Sequence, residues 1–163
     1  MRLFIAATSS QYTAMYEMAA AAYNAKPMGE RDSGFDMHCD GEDVDAKYSA
    51  HACLVGQGCR ALAVDVDGNP RAFWLAPRSS ISKTSWRLAN LLGLIDATYR
   101  GVIKAALYSV TNEPVNPTSI HGARITQIVQ PDLTPWDSVT IVTTLPGPAT
   151  LRAEGGFGST GAD

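Results

Sequence analysis

From Cys59 onward the chain is a succession of short apolar runs, each closed by turn-forming residues, and this rhythm limits the possible fold more than any other feature. CRALAVDV ends at Asp67-Gly68-Asn69-Pro70, and RAFWLAP, LLGLID, GVIKAALYSV, ARITQIVQ and SVTIVTT follow. Asp and Asn bond their own backbone, glycine reaches positive φ and proline presets its φ, so these residues make turns for definite reasons. Many short strands with such punctuation predict an all-β sandwich or barrel. Upstream, Arg2 to Ala7 reads as a strand. Tyr12, Met15, Tyr16, Ala19, Ala22 and Tyr23 then recur at helical spacing and predict a helix over residues 11–25. Ser9 or Ser10 caps its start, Pro27-Met28-Gly29 stops it, and its Met and Tyr stripe faces a core.

Composition narrows the partners. The 163 residues fit one domain with a tail, and 45% apolar residues supply a core. Thirteen Lys and Arg against sixteen Asp and Glu leave a net charge of −3, which lacks the electrostatic footprint of a nucleic-acid binder. Net charge alone also argues against a polyanionic small ligand. No uncharged apolar run approaches the ~20 residues of a membrane helix, so no membrane partner is expected. The start, MRLFIAATSSQY, makes no convincing signal peptide. Cys39, Cys53 and Cys59 form no CxxC pair and read as reduced thiols of an intracellular protein, in cytoplasm or nucleus.

Five segments carry chemistry. Asp32-Ser33-Gly34-Phe35-Asp36 sets a carboxylate after a small-residue turn. Pro77-Arg78-Ser79-Ser80 puts a guanidinium beside two hydroxyls, a set suited to phosphate oxygens. The stretch from Asn90 to Gly101, NLLGLIDATYRG, reads as a hairpin whose backbone groups and Asn90 amide could meet a planar base. Arg124-Ile125-Thr126-Gln127 reads as strand. Arg152 and the GGFGST run of residues 155–160 read as a flexible phosphate-gripping loop, since glycines let backbone N–H groups approach an anion.

In this order, SGFD, APRSS, NLLGLIDATYRG, ARITQI and RAEGGFGSTG resemble the five motifs of the trimeric dUTP pyrophosphatase (dUTPase) family, over roughly residues 28–161. The resemblance implies a jelly-roll β-barrel over residues 1–150, to which this chain adds a short N-terminal helix insertion. It implies a glycine-rich lid arm over residues 151–163, and a homotrimer with active sites shared between subunits. It implies hydrolysis of dUTP to dUMP and pyrophosphate with Mg²⁺, a step of nucleotide metabolism that limits uracil in DNA.

The same resemblance assigns roles. Asp96 matches the general base that activates water for attack on the α-phosphorus, and Asp36 the carboxylate that reaches Mg²⁺ through water. Arg78, Ser79 and Ser80 match the triphosphate set, and Gln127 a residue near the α-phosphate; Arg124 is expected to be structural. Asn90, Gly93, Leu94 and Ile95 match the uracil-binding stretch, Tyr99 the aromatic under the deoxyribose, and Lys104 is expected at the border of the uracil pocket. Arg152 matches the γ-phosphate contact, Phe157 the ring that stacks on uracil, and Gly158, Ser159 and Thr160 phosphate-binding positions.

The helix over 11–25 and the stretch SISKTSWRLAN depart from the family pattern, which leaves Trp86 and Arg87 unassigned. A dCTP deaminase of the same fold is the alternative; it needs a catalytic Glu near the pyrimidine, where this chain has Asp96 and Tyr99. A non-catalytic nucleotide-binding module with a protein partner is a third reading, opposed by the presence of Asp36, Asp96, Arg152 and Phe157.

Overall fold

In the computed structural model residues 1–45, 52–111 and 116–148 are described. β1 (Arg2–Ala7) leads into α1 (Ser10–Ala25), the helix expected over 11–25, with Ser9 as N-cap accepting from the Tyr12 N–H. Ten further strands follow: β2 (Gly34–Met37), β3 (Asp40–Asp45), β4 (Cys53–Val64), β5 (Pro70–Arg71), β6 (Phe73–Pro77), β7 (Trp86–Leu88), β8 (Gly93–Ile95), β9 (Val102–Ser109), β10 (Thr126–Val129) and β11 (Ser138–Ile141). The larger sheet runs β11-β1-β4-β9-β7, with β3 and β5 also paired to β4; the smaller runs β2-β10-β6-β8. β1 and β11 are parallel, and the other ladders are antiparallel. This is the two-sheet, jelly-roll-like β fold with one helix that the sequence predicts.

Period-two patterning decides which side chains face the core. In β6, Phe73 and Leu75 point in while Trp74 and Ala76 point out. In β2, Phe35 and Met37 point in, which leaves Gly34 and Asp36 on the outer face. Leu3, Ile5, Ile103, Leu107, Ile128 and Trp136 complete the interior. Cys39, Cys53 and Cys59 are buried, unpaired thiols. Burial pushes Cys39 up to about 11 and Cys59 up to about 12, so both stay protonated at neutral pH.

β4 is interrupted by a bulge. Gly56 pairs with Lys104 and Arg60 with Val102, so β4 carries extra residues between the two ladders. Gly58 sits in the bulge at φ +61, and a Cβ there would overlap the Tyr12 ring. The fully buried Gln57 amide satisfies the bulge: Nε2 donates to Val55 O and Gly56 O, and Oε1 accepts from Thr126 Oγ1 at 2.7 Å, tying β4 to β10 across the core.

α1 docks on this bulge through tyrosines. Tyr12 Oη donates to Cys39 O, Tyr16 Oη to Gln57 O at 2.5 Å, and Tyr23 Oη to Asp32 O at 2.8 Å. The His38 N–H donates to Tyr16 Oη, and the Trp136 N–H to Tyr23 Oη. Asn24 exchanges two bonds with the Val139 backbone and joins the helix to β11.

One sequence expectation needs correction. NLLGLIDATYRG is not a hairpin in the ladder sense: β8 pairs with β6 in the smaller sheet, whereas β9 pairs with β4 and β7 in the larger. The turn between them carries the chain from one sheet to the other. The physical reason is that Ile95 and Ile103 both fill the core between the layers, which places their strands on opposite sides of it. Trp86 and Leu88 prove to be core residues of β7, and Arg87 Nη1 donates to the carbonyls of Ile81, Thr84 and Trp86.

Gly58→Ala combines a left-handed backbone with a clash on Tyr12, so a loss of roughly 2–4 kcal/mol is expected. Urea unfolding measures it, and near-native stability would show that α1 does not depend on the bulge.

Candidate functional site

The residues of the first, second and fourth motifs meet on one side of the smaller sheet. Gln127 of β10 lies in register with Asp36 of β2 on one side and Ala76 of β6 on the other. Arg78 follows β6 directly, and its Nε donates to Asp36 Oδ1 at 2.6 Å. Arg124, just before β10, reaches Asp36 Oδ2 at 3.5 Å. Arg78 Nη1 also donates to Arg124 O at 2.5 Å, and the Ser80 hydroxyl to the same carbonyl at 3.3 Å. Gln127 Nε2 donates to Pro77 O, and its amide lies so close over Gly34 that a Cβ there would fall inside it. This close approach explains the glycine of SGFD. Arg124 was expected to be structural; it shares Asp36 with Arg78.

These groups line a cavity of about 330 Å³, within the ~300–1,000 Å³ of small-molecule sites. Its wall includes Asp36, Arg78, Ser79, Arg124 and Gln127. The sequence reading missed the other wall, made by Ala19, Ala22, Tyr23 and Lys26 of α1 and its C-terminus, with Asp32. The available signal was the helix stopping ten residues before Asp36, close enough in the chain to share its site.

Two forces compete at Asp36. Burial raises its carboxyl above the ordinary 3.8, and the guanidinium groups of Arg78 and then Arg124 pull it back without cancelling the rise.

The third motif lies elsewhere. Gly93 and Ile95 of β8 are buried, Leu94 points outward, and the exposed Asn90 closes the preceding turn with its carbonyl accepting from the Leu92 N–H. Asp96 follows Ile95, and its carbonyl accepts from the Tyr99 N–H at 3.0 Å. Tyr99 Oη donates to Val102 O, and a Cβ on Gly101 would meet that hydroxyl. β8 is the opposite edge of the sheet from β2, and Ile95 pairs with Phe73 while Asp36 aligns with Ala76. Three strand spacings of about 4.8 Å and four residues of about 3.3 Å put the Asp36 and Asp96 Cα atoms roughly 19 Å apart. Lys104, expected beside the uracil pocket, lies in β9 of the other sheet and pairs with Asp43 at 3.1 Å. Arg152, Phe157, Gly158, Ser159 and Thr160 lie outside the described residues, as does the expected arm over 151–163.

Between the two groups the outer sheet face turns apolar. Trp74, Leu92, Val129, Pro131 and Leu133 line a second hollow of about 530 Å³ whose rim is shared with Asp32, Ser33 and Gln127, and Leu94 is 55% exposed beyond it. No helix among the described residues is long and apolar enough to cross a membrane.

Fold and site together define a jelly-roll-like β protein with a guanidinium, hydroxyl and carboxylate cavity on its smaller sheet. The family model for dUTPase matches residues 24–161, and the chain belongs to the dUTPase family. Among similar proteins is the deoxyuridine 5′-triphosphate nucleotidohydrolase of Hydrogenovibrio crunogenus, 37% identical over 107 residues, 62% of this chain and 64% of that protein. That of Escherichia phage T5 is 38% identical over 103 residues, 62% of this chain and 65% of its own length. That of Corynebacterium glutamicum is 35% identical over 136 residues, 80% of this chain and 81% of that protein. The chain thus matches slightly under two thirds of the length of the first two relatives.

Asp36→Asn tests the balance of forces at the carboxylate. A raised folded value means the folded chain holds that proton more tightly than the unfolded chain. The contribution of Asp36 to stability is therefore full below 3.8 and lost as pH rises through the raised value. The stability of the native chain minus that of Asp36→Asn is expected to fall over this window in urea titrations, and a rise would mean that the ion pairs outweigh burial.

Proposed function

We propose that this chain hydrolyses dUTP to dUMP and pyrophosphate. The observation that carries the reading is the cavity joining Asp36, Arg78, Ser79 and Gln127 in a chain of the dUTPase family. Arg78 and the Ser79 and Ser80 hydroxyls hold triphosphate oxygens through charge-assisted hydrogen bonds. Gln127 orients the α-phosphate. Asp96 takes a proton from water as its oxygen bonds to the α-phosphorus, and the bond from that phosphorus to the bridging oxygen breaks in line, releasing pyrophosphate. Asn90 and the backbone of Gly93, Leu94 and Ile95 read uracil, with Tyr99 under the sugar. On the family resemblance Lys104 borders the base, Arg152 reaches the γ-phosphate, Phe157 stacks on uracil, and Gly158, Ser159 and Thr160 hold phosphate oxygens.

The donor set fits a Mg²⁺ ion that travels with the substrate. Both Asp36 oxygens already face guanidinium groups, and no cluster of three His, Cys, Asp or Glu able to hold a metal occurs among the described residues. Asp36 retains lone pairs to accept hydrogen bonds from metal-bound water, and Mg²⁺ keeps several waters when phosphates supply its other ligands. Bound there, the ion would neutralise triphosphate charge.

A base works only within about 3 Å of the water it activates, or through one bridging water. The roughly 19 Å between Asp36 and Asp96 in one chain therefore supports sites assembled from more than one copy, and a homotrimer is the assembly we propose. The apolar outer face around Trp74 and Leu133 supports such an association.

Hydrolysis of dUTP with Mg²⁺, with dCTP, dTTP and UTP as competitors, tests the activity; ammonia release from dCTP would favour a deaminase instead. Asp96→Asn is expected to lower kcat by about 10²–10⁴-fold while nucleotide binding persists, and near-normal turnover would remove Asp96 from its role. Refolding Asp36→Asn together with Asp96→Asn is expected to restore activity that neither variant has alone, because a shared site then draws each carboxylate from a different copy. No recovery in verified mixed oligomers would place both carboxylates in one chain's site.

A further inference from the structure

The cavity wall built by α1 belongs to no family motif, yet it brings a cation to the phosphate groups' side of the site. We propose that Lys26 is an additional polyphosphate-binding residue of this chain, delivered by the N-terminal helix; the proposal rests on the dUTP-hydrolysing reading of the cavity.

Lys26 is the C-cap residue of α1 and lines the same cavity as Arg78, Ser79, Arg124 and Gln127. Its backbone is fixed from both sides. The Lys26 N–H donates to Tyr23 O at 3.3 Å, and the Lys26 carbonyl accepts from Arg31 Nε at 3.0 Å. Arg31 also donates to the carbonyls of Asn24, Trp136 and Asp137, bracing the loop after the helix against the body of the fold. The loop's other end is held where Tyr23 Oη donates to Asp32 O. The stem of Lys26 therefore starts from a set position, and its ammonium-bearing side chain is half exposed to solvent.

That ammonium rests on Asp32 Oδ2 at 2.7 Å. The Lys26 and Asp32 side chains are 45% and 71% exposed, and a pair so open to solvent is strongly screened and stabilises little. Exchanging Asp32 for a phosphate oxygen of greater charge is cheap. The arginines are committed differently: Arg78 and Arg124 both hold Asp36, and Arg78 bonds the Arg124 carbonyl as well. Lys26 is the cavity's cation with the most exposed carboxylate partner, Asp32 at 71% against 25% for Asp36, and its wall otherwise offers the small side chains of Ala19 and Ala22. With no unpaired ring on that wall to stack on a base, since Tyr23 is buried and bonded, Lys26 serves the phosphate chain and not the nucleoside.

Calorimetry on the full-length protein with Mg²⁺ tests this, using α,β-imido-dUTP and dUMP as probes. Lys26→Met, which keeps the stem and removes the charge, is expected to weaken analogue binding about tenfold and to leave dUMP binding within twofold. Lys26→Arg is expected to restore the analogue's affinity. Unchanged analogue binding in Lys26→Met, or an equal loss for dUMP, overturns the proposal. If the native chain binds neither probe, the functional reading itself fails, a result distinct from a native chain that binds both and a Lys26→Met variant that matches it.

Discussion

The order β2-β10-β6-β8 in the smaller sheet is the constraint on which the site depends. β10 lies between β2 and β6, so Gln127, Asp36 and the end of β6 that launches Arg78 share one register line. Three sequence segments separated by dozens of residues become neighbours because a ladder fixes their spacing at about 4.8 Å. The same order sends β8, with Asp96 behind it, to the far edge. A single ladder thus gathers the guanidinium, carboxylate and amide groups of one cavity and sets the proposed base at the far edge of the sheet. This arrangement supports the proposed sharing of sites between copies more directly than any feature of the surface does.

The second constraint is how a helix is held against a β-layer without the wide apolar stripe a surface helix normally presents. α1 does it with tyrosine hydroxyls aimed at backbone groups, at the β4 bulge and near β2. The bulge frees the Gln57 carbonyl from its ladder, and Tyr16 Oη donates to it; Gly58 leaves room for the Tyr12 ring. Buried polar groups are stable only when paired, so each bond both satisfies a hydroxyl and fixes where the helix lies. The consequence extends past stability: the position that satisfies three tyrosines also sets Ala19, Ala22 and Lys26 along the cavity that holds Asp36 and Arg78.

Much of this was legible in the sequence, for physical reasons. The turn at residues 65–69 was readable because Asp65 accepts from the Asp67 and Asn69 N–H groups and Gly68 takes φ +87, roles those residue types perform locally. The helix was readable because Tyr12, Tyr16 and Tyr23 recur on one face. β2 was harder: SGFD reads as a turn followed by a carboxylate, and it becomes strand only through pairing with β10, ninety residues away. The apparent hairpin over 90–101 failed for the same reason, since periodicity reports which residues are apolar but not which sheet will claim a strand. Arg124 was likewise undecidable from its own segment, because its partner Asp36 arrives through the ladder.

Charge gives the last step. A net −3 seemed unsuited to a polyanion, yet the cavity collects Lys26, Arg78 and Arg124 against Asp32 and Asp36. The cavity's charges nearly balance, with each cation resting on a carboxylate, so it carries little self-repulsion. A triphosphate brings more negative charge than one surplus cation offsets. On the proposed reading two sources remain: a divalent ion entering with the phosphates, and cations that can leave weak partners at small cost. Lys26 is of the second kind, and Arg78, tied at 2.6 Å to a half-buried carboxylate, is not. On the proposed reading, an arginine anchored on Asp36 orients the phosphates, and a lysine with an exposed partner answers their charge.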